Sequence, residues 1–305
     1  MRNKIPVFVL TVRNSHREIQ IKKRLDSLKI NCKFFYAING RNSENFKILE
    51  KKYDKKKSIN SLGRYMTFTE ISNAEGHLRI YKYIVKKNIF NAVIMEDDCY
   101  PSEVLSDWLK LYNFFKNQDY NIIQMYHSFG LVWKKPEKII LDRFSLHKTC
   151  FTLPYTTCYQ INKKTCKYII ARNKKIFRLP DWPINFSNSK IKQYAVLPYI
   201  VMLRHDHVNT SYQKERWNNF DIIKKIKKNL PIYSLITALY FLLHIPFIFR
   251  IYKNYSYFKE VHLLKKIFYI KNLFSNNYIN LEKTIKDEKF YSNDLIKNAK
   301  KSLFF

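Results

Sequence analysis

The stretch NIFNAVIMEDDCYPSEV, residues 88–104, places an apolar run directly against three carboxylates. The run NAVIM is predicted to be a central strand of a parallel sheet, because such strands are covered on both faces and are continuously apolar. Glu96, Asp97 and Asp98 follow at its carboxyl end, the edge where α/β sheets bind their ligands. A chain with net charge +32 and only 24 acidic residues has therefore placed three of them at a candidate site.

The N-terminal part of the chain predicts a parallel unit around this strand. Residues 5–12 form a β-branched apolar run, residues 16–29 have apolar side chains at helical spacing, and CKFFYAI is a second strand. The turn pair Asn39-Gly40 closes that strand. Strand, helix and strand in this order indicate an α/β domain with a central, mostly parallel sheet.

Further elements follow with recognisable boundaries. Thr67 and Glu70 have the spacing of a capping box and predict a helix to about residue 87. Residues 101–116 are predicted to be helical with Pro101 in the first turn, and YNIIQMY is predicted to be a strand. Residues 163–172 predict another helix, between the strand-like stretches CFTLPYTTCYQI and YAVLPYIVML.

The three acids suggest a metal site. In an extended chain Glu96 and Asp98 point the same way and Asp97 points elsewhere, so the first two are the predicted ligands. Hard carboxylate oxygens suit Mg²⁺ or Mn²⁺, which in turn binds diphosphate. A structural alternative stays open, because acids are also common at a helix N-terminus, here ahead of Pro101.

Overall composition restricts the class of protein. Hydrophobic residues make up 46% and aromatic residues 16% of the 305, enough for a packed core. The 56 basic residues suggest an anionic partner, or they reflect a general enrichment in Lys, Asn, Ile and Tyr. Five scattered cysteines without a CxxC pair predict neither a disulfide framework nor a zinc site. The N-terminal apolar run is too short for a signal peptide, and a cytoplasmic location is expected.

The C-terminal part has a different composition, so we divide the chain into residues 1–217 and 218–305. Residues 229–249 form a stretch of about twenty uncharged residues, long enough to span a bilayer. Basic residues flank both ends, which disfavours a simple span. Residues 257–274 predict a basic amphipathic helix suited to an anionic membrane surface. A segment that dips into one leaflet and helices packed on the first domain remain the alternatives, and peripheral attachment to the cytoplasmic leaflet is the favoured interpretation.

Several stretches, in order along the chain, resemble glycosyltransferase family 25, the lipopolysaccharide and lipooligosaccharide biosynthesis transferases. They are VFVLTVRNSHREIQIKKRLDSL, FFYAINGR, TFTEISNAEGHLRIYKYIV, NAVIMEDDCYPSE, TTCYQINKKTCKYII, LPDWPI and VLPYIVM. The resemblance covers roughly residues 5–217. It implies a GT-A type fold, a UDP-sugar donor, a divalent cation (Mn²⁺ or Mg²⁺) and inverting transfer of a hexose, with galactose favoured, to a lipooligosaccharide or other glycolipid acceptor.

The resemblance also implies roles for individual residues. Glu96 and Asp98 would be metal ligands, and Asp97 would support catalysis beside them. Asp181 would bind the acceptor or act as general base. The donor-binding residues implied by the matching motifs are Thr11, Arg13, Arg17, Asn39, Gly40 and His77.

Some positions depart from the family pattern. The family's Gly-Cys pair is replaced by Ser72-Asn73, its Ser before the histidine by Gly76, and its Asp before the turn glycine by Asn39. His205 and His207 are further candidate metal ligands on their chemistry alone.

Two other classes of protein compete with an enzyme. One is a non-catalytic, membrane-associated interaction protein that retains the fold. The other is a nucleic-acid binder, suggested by the positive charge together with 23 Tyr and 23 Phe. It is disfavoured because no RNP, KH or helix-turn-helix signature is present.

Overall fold

The structure is a computed structural model that describes residues 4–62, 64–126, 131–150, 153, 156–181, 183–184, 191–204 and 278–280. The predicted spanning stretch, the amphipathic helix, His205 and His207 lie outside these residues. Within them, no helix is long and apolar enough to cross a membrane.

Helices and strands alternate through the first part of the described chain. The helices are α1 (His16–Ser27), α2 (Phe46–Lys51), α3 (Lys55–Leu62), α4 (Phe68–Lys86), α5 (Leu105–Leu109), α6 (Tyr112–Lys116) and α7 (Lys163–Arg172). The strands are β1 (Val7–Thr11), β2 (Cys32–Tyr36), β3 (Asn91–Glu96), β4 (Cys99–Pro101), β5 (Ile122–Gln124), β6 (Leu131–Trp133), β7 (Lys138–Ile140), β8 (Phe144–Lys148), β9 (Cys158–Asn162), β10 (Gln193–Leu197), β11 (Val201–Leu203) and β12 (Tyr278–Asn280).

An eight-stranded sheet in the order β2-β1-β3-β9-β5-β10-β8-β7 forms the centre. Strands β1, β2 and β3 are parallel, as the N-terminal sequence predicts, and so are β5 and β10. Strand β9 runs antiparallel to both of its neighbours, and β8 is antiparallel to β10 and β7. The α/β class is confirmed, but the expectation of a mostly parallel sheet is wrong and the sheet is mixed. A parallel pair needs a crossover connection, whereas a short turn joins β7 to β8.

The alternating side chains of β1 and β3 build two apolar layers. Val7, Val9, Val93 and Met95 pack on one face with α1, α5 and α6, while Phe8, Leu10, Ala92 and Ile94 pack on the other with α4 and α7. Strand β3 is buried on both faces as far as Met95. The sheet is thus a rigid layer from which the residues after Thr11 and Glu96 emerge together.

The predicted capping box begins α4. Thr67 Oγ1 accepts the backbone N–H of Glu70, and the Glu70 carboxylate accepts the N–H of Thr67. Arg64 donates two further hydrogen bonds to the same carboxylate, at 2.6 and 2.7 Å. These contacts anchor the end of α4 that lies at the carboxyl edge of the sheet.

The predicted helix over residues 101–116 is wrong at its start. Pro101 ends β4, which pairs with β11, and the helical part consists of the two short helices α5 and α6. A strand is favoured here because β11 satisfies the backbone groups of β4.

Strand β12 lies within the predicted C-terminal region and pairs antiparallel with β6. The two parts of the chain that the sequence separates are therefore joined by a backbone ladder.

Two glycines give a matched prediction about packing. A Cβ on Gly40 would lie 2.6 Å from the carbonyl oxygen of Phe68, and one on Gly76 would lie 2.5 Å from Leu10 Cδ1. Backbone cannot move aside as a leucine side chain can, so we expect Gly40→Ala to lower the free energy of unfolding by about 1–3 kcal/mol. Gly76→Ala should cost less, because about 1 kcal/mol of helix propensity offsets the overlap. Urea denaturation of both variants checks this order, and a larger loss for Gly76→Ala would contradict it.

Candidate active site

The site lies at the carboxyl ends of β1 and β3, on the acidic turn, which we define as Glu96, Asp97 and Asp98. The β1–β3 register pairs Leu10 with Glu96, so the residues that follow each of them emerge side by side. Strand β3 ends at Glu96, and Asp97 and Asp98 form a turn. Side chains alternate in direction only along a strand, so the prediction that Glu96 and Asp98 point the same way does not hold past Glu96.

Asp97 and Asp98 lie together beside Arg17. Arg17 Nη1 is 3.7 Å from Asp97 Oδ1 and 4.0 Å from Asp98 Oδ2, and Thr11 donates a 2.6 Å hydrogen bond to Asp97 Oδ2. Asp98 Oδ1 is buried and has no hydrogen-bond partner. The two aspartates thus form a partly compensated anionic pair.

Their environment favours the protonated forms. Burial raises the pKa of Asp97 in spite of the Thr11 hydrogen bond and the Arg17 charge. Burial, followed by the charges of Glu96 and Asp97, raises the pKa of Asp98 to about 8. Asp98 would be fully ionised at neutral pH only if more positive charge were brought to the turn.

Glu96 has different surroundings. Its Oε1 accepts hydrogen bonds from His77 Nε2 at 3.1 Å, from Asn73 Nδ2 at 3.2 Å and from the hydroxyl of Thr156. Burial acts to raise the pKa of Glu96, but the hydrogen bonds and charge of His77, with the other two donors, outweigh it and the pKa is lowered. Glu96 is therefore the carboxylate of the turn that the protein itself holds ionised.

His77 is buried and lies beneath the turn. It reaches Glu96 from the middle of α4, and its other ring nitrogen is 2.9 Å from the hydroxyl of Tyr159. Gly76, the residue before it, lies against the Leu10 side chain, and having no side chain of its own it lets α4 approach β1 closely. A buried ring with both nitrogens engaged by protein groups does not present itself to a ligand, so the contact of His77 is with Glu96.

Asp181 is connected to the acidic turn through Thr156. Asp181 Oδ1 accepts the backbone N–H of Thr156 at 2.9 Å, and the hydroxyl of the same threonine donates to Glu96. Residues that are far apart in sequence are thus two hydrogen bonds apart. The sequence places Asp181 only by resemblance; the fold brings it to the site.

Arg13 and Arg17, both predicted donor-binding residues, have different positions. The Arg13 guanidinium lies over the ring of Tyr36, 4.4 Å from its centroid, and Tyr36 donates a hydrogen bond to Glu18. Arg17 lies beside the aspartates instead. An exposed cation stacked at the ends of β1 and β2 is well placed to meet an anionic ligand that enters along this edge.

Asn39 and Gly40 lie at the end of β2 and not on the acidic turn. Asn39 Oδ1 accepts the N–H of Arg41 within the turn. Gly40 packs on the start of α4 and borders a cavity of about 690 Å³. The other lining residues are Arg41, Phe46, Glu50, Tyr53, Lys55, Tyr65, Met66, Thr67, Phe68 and Ile71.

Consecutive residues of α4 make hydrogen bonds to both regions. Ser72 donates a hydrogen bond to the carbonyl of Ile38, and the next residue, Asn73, contacts Glu96. The region of Asn39 and Gly40 and the acidic turn are therefore adjacent parts of one edge.

The aspartates fit a divalent cation that is completed by a ligand. No group of three or more His, Cys, Asp and Glu side chains in the described ranges is arranged to hold a metal alone. Mg²⁺, however, is commonly bound by one or two carboxylates with substrate phosphates and water. The unpartnered Asp98 Oδ1 and the raised pKa values of both aspartates are the features that a cation would relieve.

Sequence reasoning did not assign roles to Tyr36, Asn73, Thr156 and Tyr159. Asn73 was visible as a departure from the family pattern, and Tyr159 lies within one of the matching stretches. Thr156 begins the same stretch, but its role depends on contacts that join three separate segments of the chain.

These features define an α/β protein with an acidic ligand site at the carboxyl edge of its sheet. The chain matches the model of glycosyltransferase family 25, described as LPS biosynthesis protein, over residues 4–186. This match spans more than half of the 305 residues, and the chain belongs to glycosyltransferase family 25. The resemblance read from the motifs is thereby confirmed, and membership supports a glycosyltransferase activity.

Other comparisons add little. No curated protein matches the chain. One similar solved structure is a chain assigned as a glucose-1-phosphate thymidylyltransferase from Bacillus anthracis, in complex with a sucrose, with 12% identity and a TM-score of 0.30. The similarity covers 71% of this chain and 96% of that chain. At this level it carries no argument about fold or function.

Proposed function

We propose that this protein is a metal-dependent, inverting glycosyltransferase of the GT-A type that moves a hexose, with galactose the favoured sugar, from a UDP-sugar to a lipooligosaccharide or lipopolysaccharide acceptor. The observation that carries the proposal is the pair Asp97–Asp98, which lies beside Arg17 with one carboxylate oxygen unpartnered, in a chain of family 25. An anionic pair of this kind calls for a cation and for the phosphates that accompany it.

Asp97 and Asp98 are the residues that would hold Mn²⁺ or Mg²⁺, with Asp98 the better candidate because its Oδ1 is unpartnered. When bound, the cation would neutralise negative charge on the departing diphosphate. Arg17, within 4.0 Å of both aspartates, is placed to add positive charge at the same point. Thr11 fixes the orientation of Asp97.

Asp181 is the proposed general base for the acceptor hydroxyl. Its hydrogen bond from Thr156 holds the carboxylate close to the acidic turn. In an inverting reaction the base takes the proton of the attacking hydroxyl from the side opposite the leaving group. Asp181 is linked to the acidic turn by its hydrogen bond with Thr156, in the segment before β9. Arg17 contacts the turn from α1.

The nucleotide half of the donor is proposed to lie along the ends of β1 and β2. Arg13 stacked on Tyr36 offers a cation, and Asn39 offers a polar side chain that can hydrogen-bond a ribose or base. The cavity beside Gly40 has the size range of ligand pockets, about 300–1,000 Å³. Its aromatic lining suits a flat or ring-shaped group.

Attachment to the cytoplasmic face of the inner membrane is part of the proposal. It rests on sequence alone, namely the lysine-rich amphipathic stretch at residues 257–274. Flotation with anionic liposomes, before and after truncation at about residue 220, tests it. Unchanged flotation of the truncated protein would reject this role for the C-terminal region.

Binding of the donor nucleotide separates an enzyme from a non-catalytic interaction protein. We expect UDP with Mn²⁺ to raise the melting temperature, because a ligand that binds only the folded state stabilises it by about 2.7 kcal/mol at 100 times its dissociation constant. UDP without a divalent cation should give a smaller shift. Absence of any shift with UDP or UDP-sugars in the presence of Mn²⁺ would favour the interaction protein.

A donor screen then identifies the sugar. UDP-galactose and other UDP-hexoses are offered with a lipooligosaccharide acceptor, with and without Mn²⁺, and both the released UDP and the product linkage are read. Inversion at the anomeric carbon and a requirement for Mn²⁺ are the expected results. Retention of configuration would overturn the proposed mechanism while leaving family membership intact.

A further inference from the structure

A buried chain of hydrogen bonds leads from the core to Glu96. The hydroxyl oxygens of Tyr81 and Tyr159 are 2.6 Å apart, Tyr159 Oη is 2.9 Å from His77 Nδ1, and His77 Nε2 is 3.1 Å from Glu96 Oε1. Both tyrosines are 3% exposed and His77 is 1% exposed. Because these groups are removed from bulk water, each proton must be shared within the chain.

The chemistry of the groups determines which of them donates in each of these hydrogen bonds. An ionised carboxylate only accepts hydrogen bonds, so His77 Nε2 donates to Glu96. When the imidazole is neutral it has a single N–H, so its Nδ1 accepts from the hydroxyl of Tyr159, whose oxygen is left to accept from Tyr81. Glu96 therefore selects the His77 tautomer that carries its proton on Nε2, and Tyr159 donates to the unprotonated Nδ1.

The chain continues from Glu96 to Asp181. Oε1 of Glu96 also accepts from Asn73 and from the hydroxyl of Thr156. The two oxygens of a carboxylate offer about four acceptor positions, or about two each. Three donors therefore fill the acceptor positions of Oε1. The backbone N–H of Thr156 is in turn bonded to Asp181 Oδ1.

We propose that Glu96 is a positioning residue and not a ligand of the cation: held by the Tyr159–His77 pair, it fixes Thr156 and, through it, Asp181. This inference rests on the proposed function for the bound cation and for the role of Asp181 as a base. The acidic turn would thus have two roles, cation binding and positioning. Asp97 and Asp98 face Arg17, whereas Glu96 faces α4 and the segment before β9.

The tautomer of His77 is the direct test, and it does not depend on enzyme activity. Nitrogen NMR of the full-length protein, labelled with ¹⁵N-histidine, distinguishes protonated from unprotonated ring nitrogens. His77 is assigned as the residue whose signals disappear in His77→Gln. At a pH where the ring is neutral, we expect wild-type His77 to show one protonated nitrogen, Nε2, and Glu96→Gln to populate the second tautomer, because its side-chain amide can donate to Nε2 as well as accept from it.

Tyr81→Phe is the control, because it removes a hydroxyl of the same hydrogen-bonded chain without changing His77 or Glu96. The Tyr159 hydroxyl remains to donate to Nδ1, so His77 should keep its wild-type tautomer. If Glu96 did not hold the Nε2 proton, Glu96→Gln and Tyr81→Phe would give the same His77 spectrum. Such a result, or a wild-type His77 protonated on Nδ1, would overturn the proposal.

Cation binding tests the second half of the proposal. Mn²⁺ binding in the presence of UDP is measured by electron paramagnetic resonance for the wild type, Glu96→Gln and Asp98→Asn. We expect the affinity of Glu96→Gln to stay within about threefold of wild type and that of Asp98→Asn to fall by about tenfold or more, because only Asp98→Asn would remove a ligand carboxylate. An equal loss in both variants would show that Glu96 is a ligand. If the wild type binds neither Mn²⁺ nor UDP, the proposed function fails, while the tautomer measurement still decides the positioning chain.

Discussion

Asp98→Asn is expected to reduce Mn²⁺-dependent sugar transfer by at least about 100-fold, equivalent to about 2.7 kcal/mol of transition-state stabilisation. The substitution keeps the size of the side chain but removes the charge from the oxygen that has no partner in the protein. Initial rates at saturating donor, with and without Mn²⁺, measure the loss. An Asp98→Asn enzyme with full metal-dependent transfer would eliminate Asp98 as a ligand.

The same substitution should stabilise the metal-free protein at alkaline pH. The pKa of Asp98 in the folded state is raised from 3.8 to about 8, so the folded protein retains a proton that the unfolded chain releases. The resulting loss of stability begins above pH 4, grows with pH, and is complete above pH 8. Without metal, the melting temperature of Asp98→Asn should therefore exceed that of wild type by more at pH 8.5 than at pH 5.

Added Mn²⁺ should reverse this order, because the wild type binds the cation more tightly than Asp98→Asn does. Asp119→Asn is a suitable control, since the Asp119 side chain is 64% exposed and makes a 3.6 Å contact with Lys164 and a 3.5 Å hydrogen bond with Asn121. It should change neither the transfer rate nor the dependence of the melting temperature on pH. If Asp98→Asn lowered the melting temperature at alkaline pH, the acidic turn would be stabilised by contacts other than those seen here.

Arg64→Ala is expected to lower the free energy of unfolding by about 3–5 kcal/mol, the cost of removing one member of a buried ion pair. The Arg64 side chain is 8% exposed and that of Glu70 is 0% exposed, and two hydrogen bonds join them. Because Glu70 also caps α4, the loss should be accompanied by fraying at the start of that helix. Urea denaturation followed by circular dichroism measures the change.

A second variant distinguishes the effect of the Glu70 charge from the effect of lost packing. In Arg64→Ala/Glu70→Gln the glutamine can still accept the N–H of Thr67, as in a capping box, but carries no charge. The double variant should be more stable than Arg64→Ala alone. Equal stability would show that the cost comes from lost packing of the arginine stem.

Much of the fold could be predicted from local sequence. The apolar run before Glu96, the Thr67–Glu70 capping box and the helix at residues 163–172 are specified by neighbours in the chain, and the structure confirms each. The sheet topology was less accessible, because the antiparallel placement of β9 between β3 and β5 depends on pairing between distant segments. Pro101 was misplaced for the same reason, since β4 exists only through its pairing with β11.

The sequence by itself determined that three carboxylates end a buried strand and that the flanking motifs belong to family 25. Only the tertiary structure decided how those carboxylates divide. The strand ends at Glu96, so the alternation that paired Glu96 with Asp98 stops there and the turn directs Asp97 and Asp98 towards Arg17. Glu96 instead meets His77 and Thr156, which arrive from α4 and from the segment before β9. Local spacing specifies where a strand lies, but the surroundings of each carboxylate depend on donors distant in the chain, and folding alone brings them together.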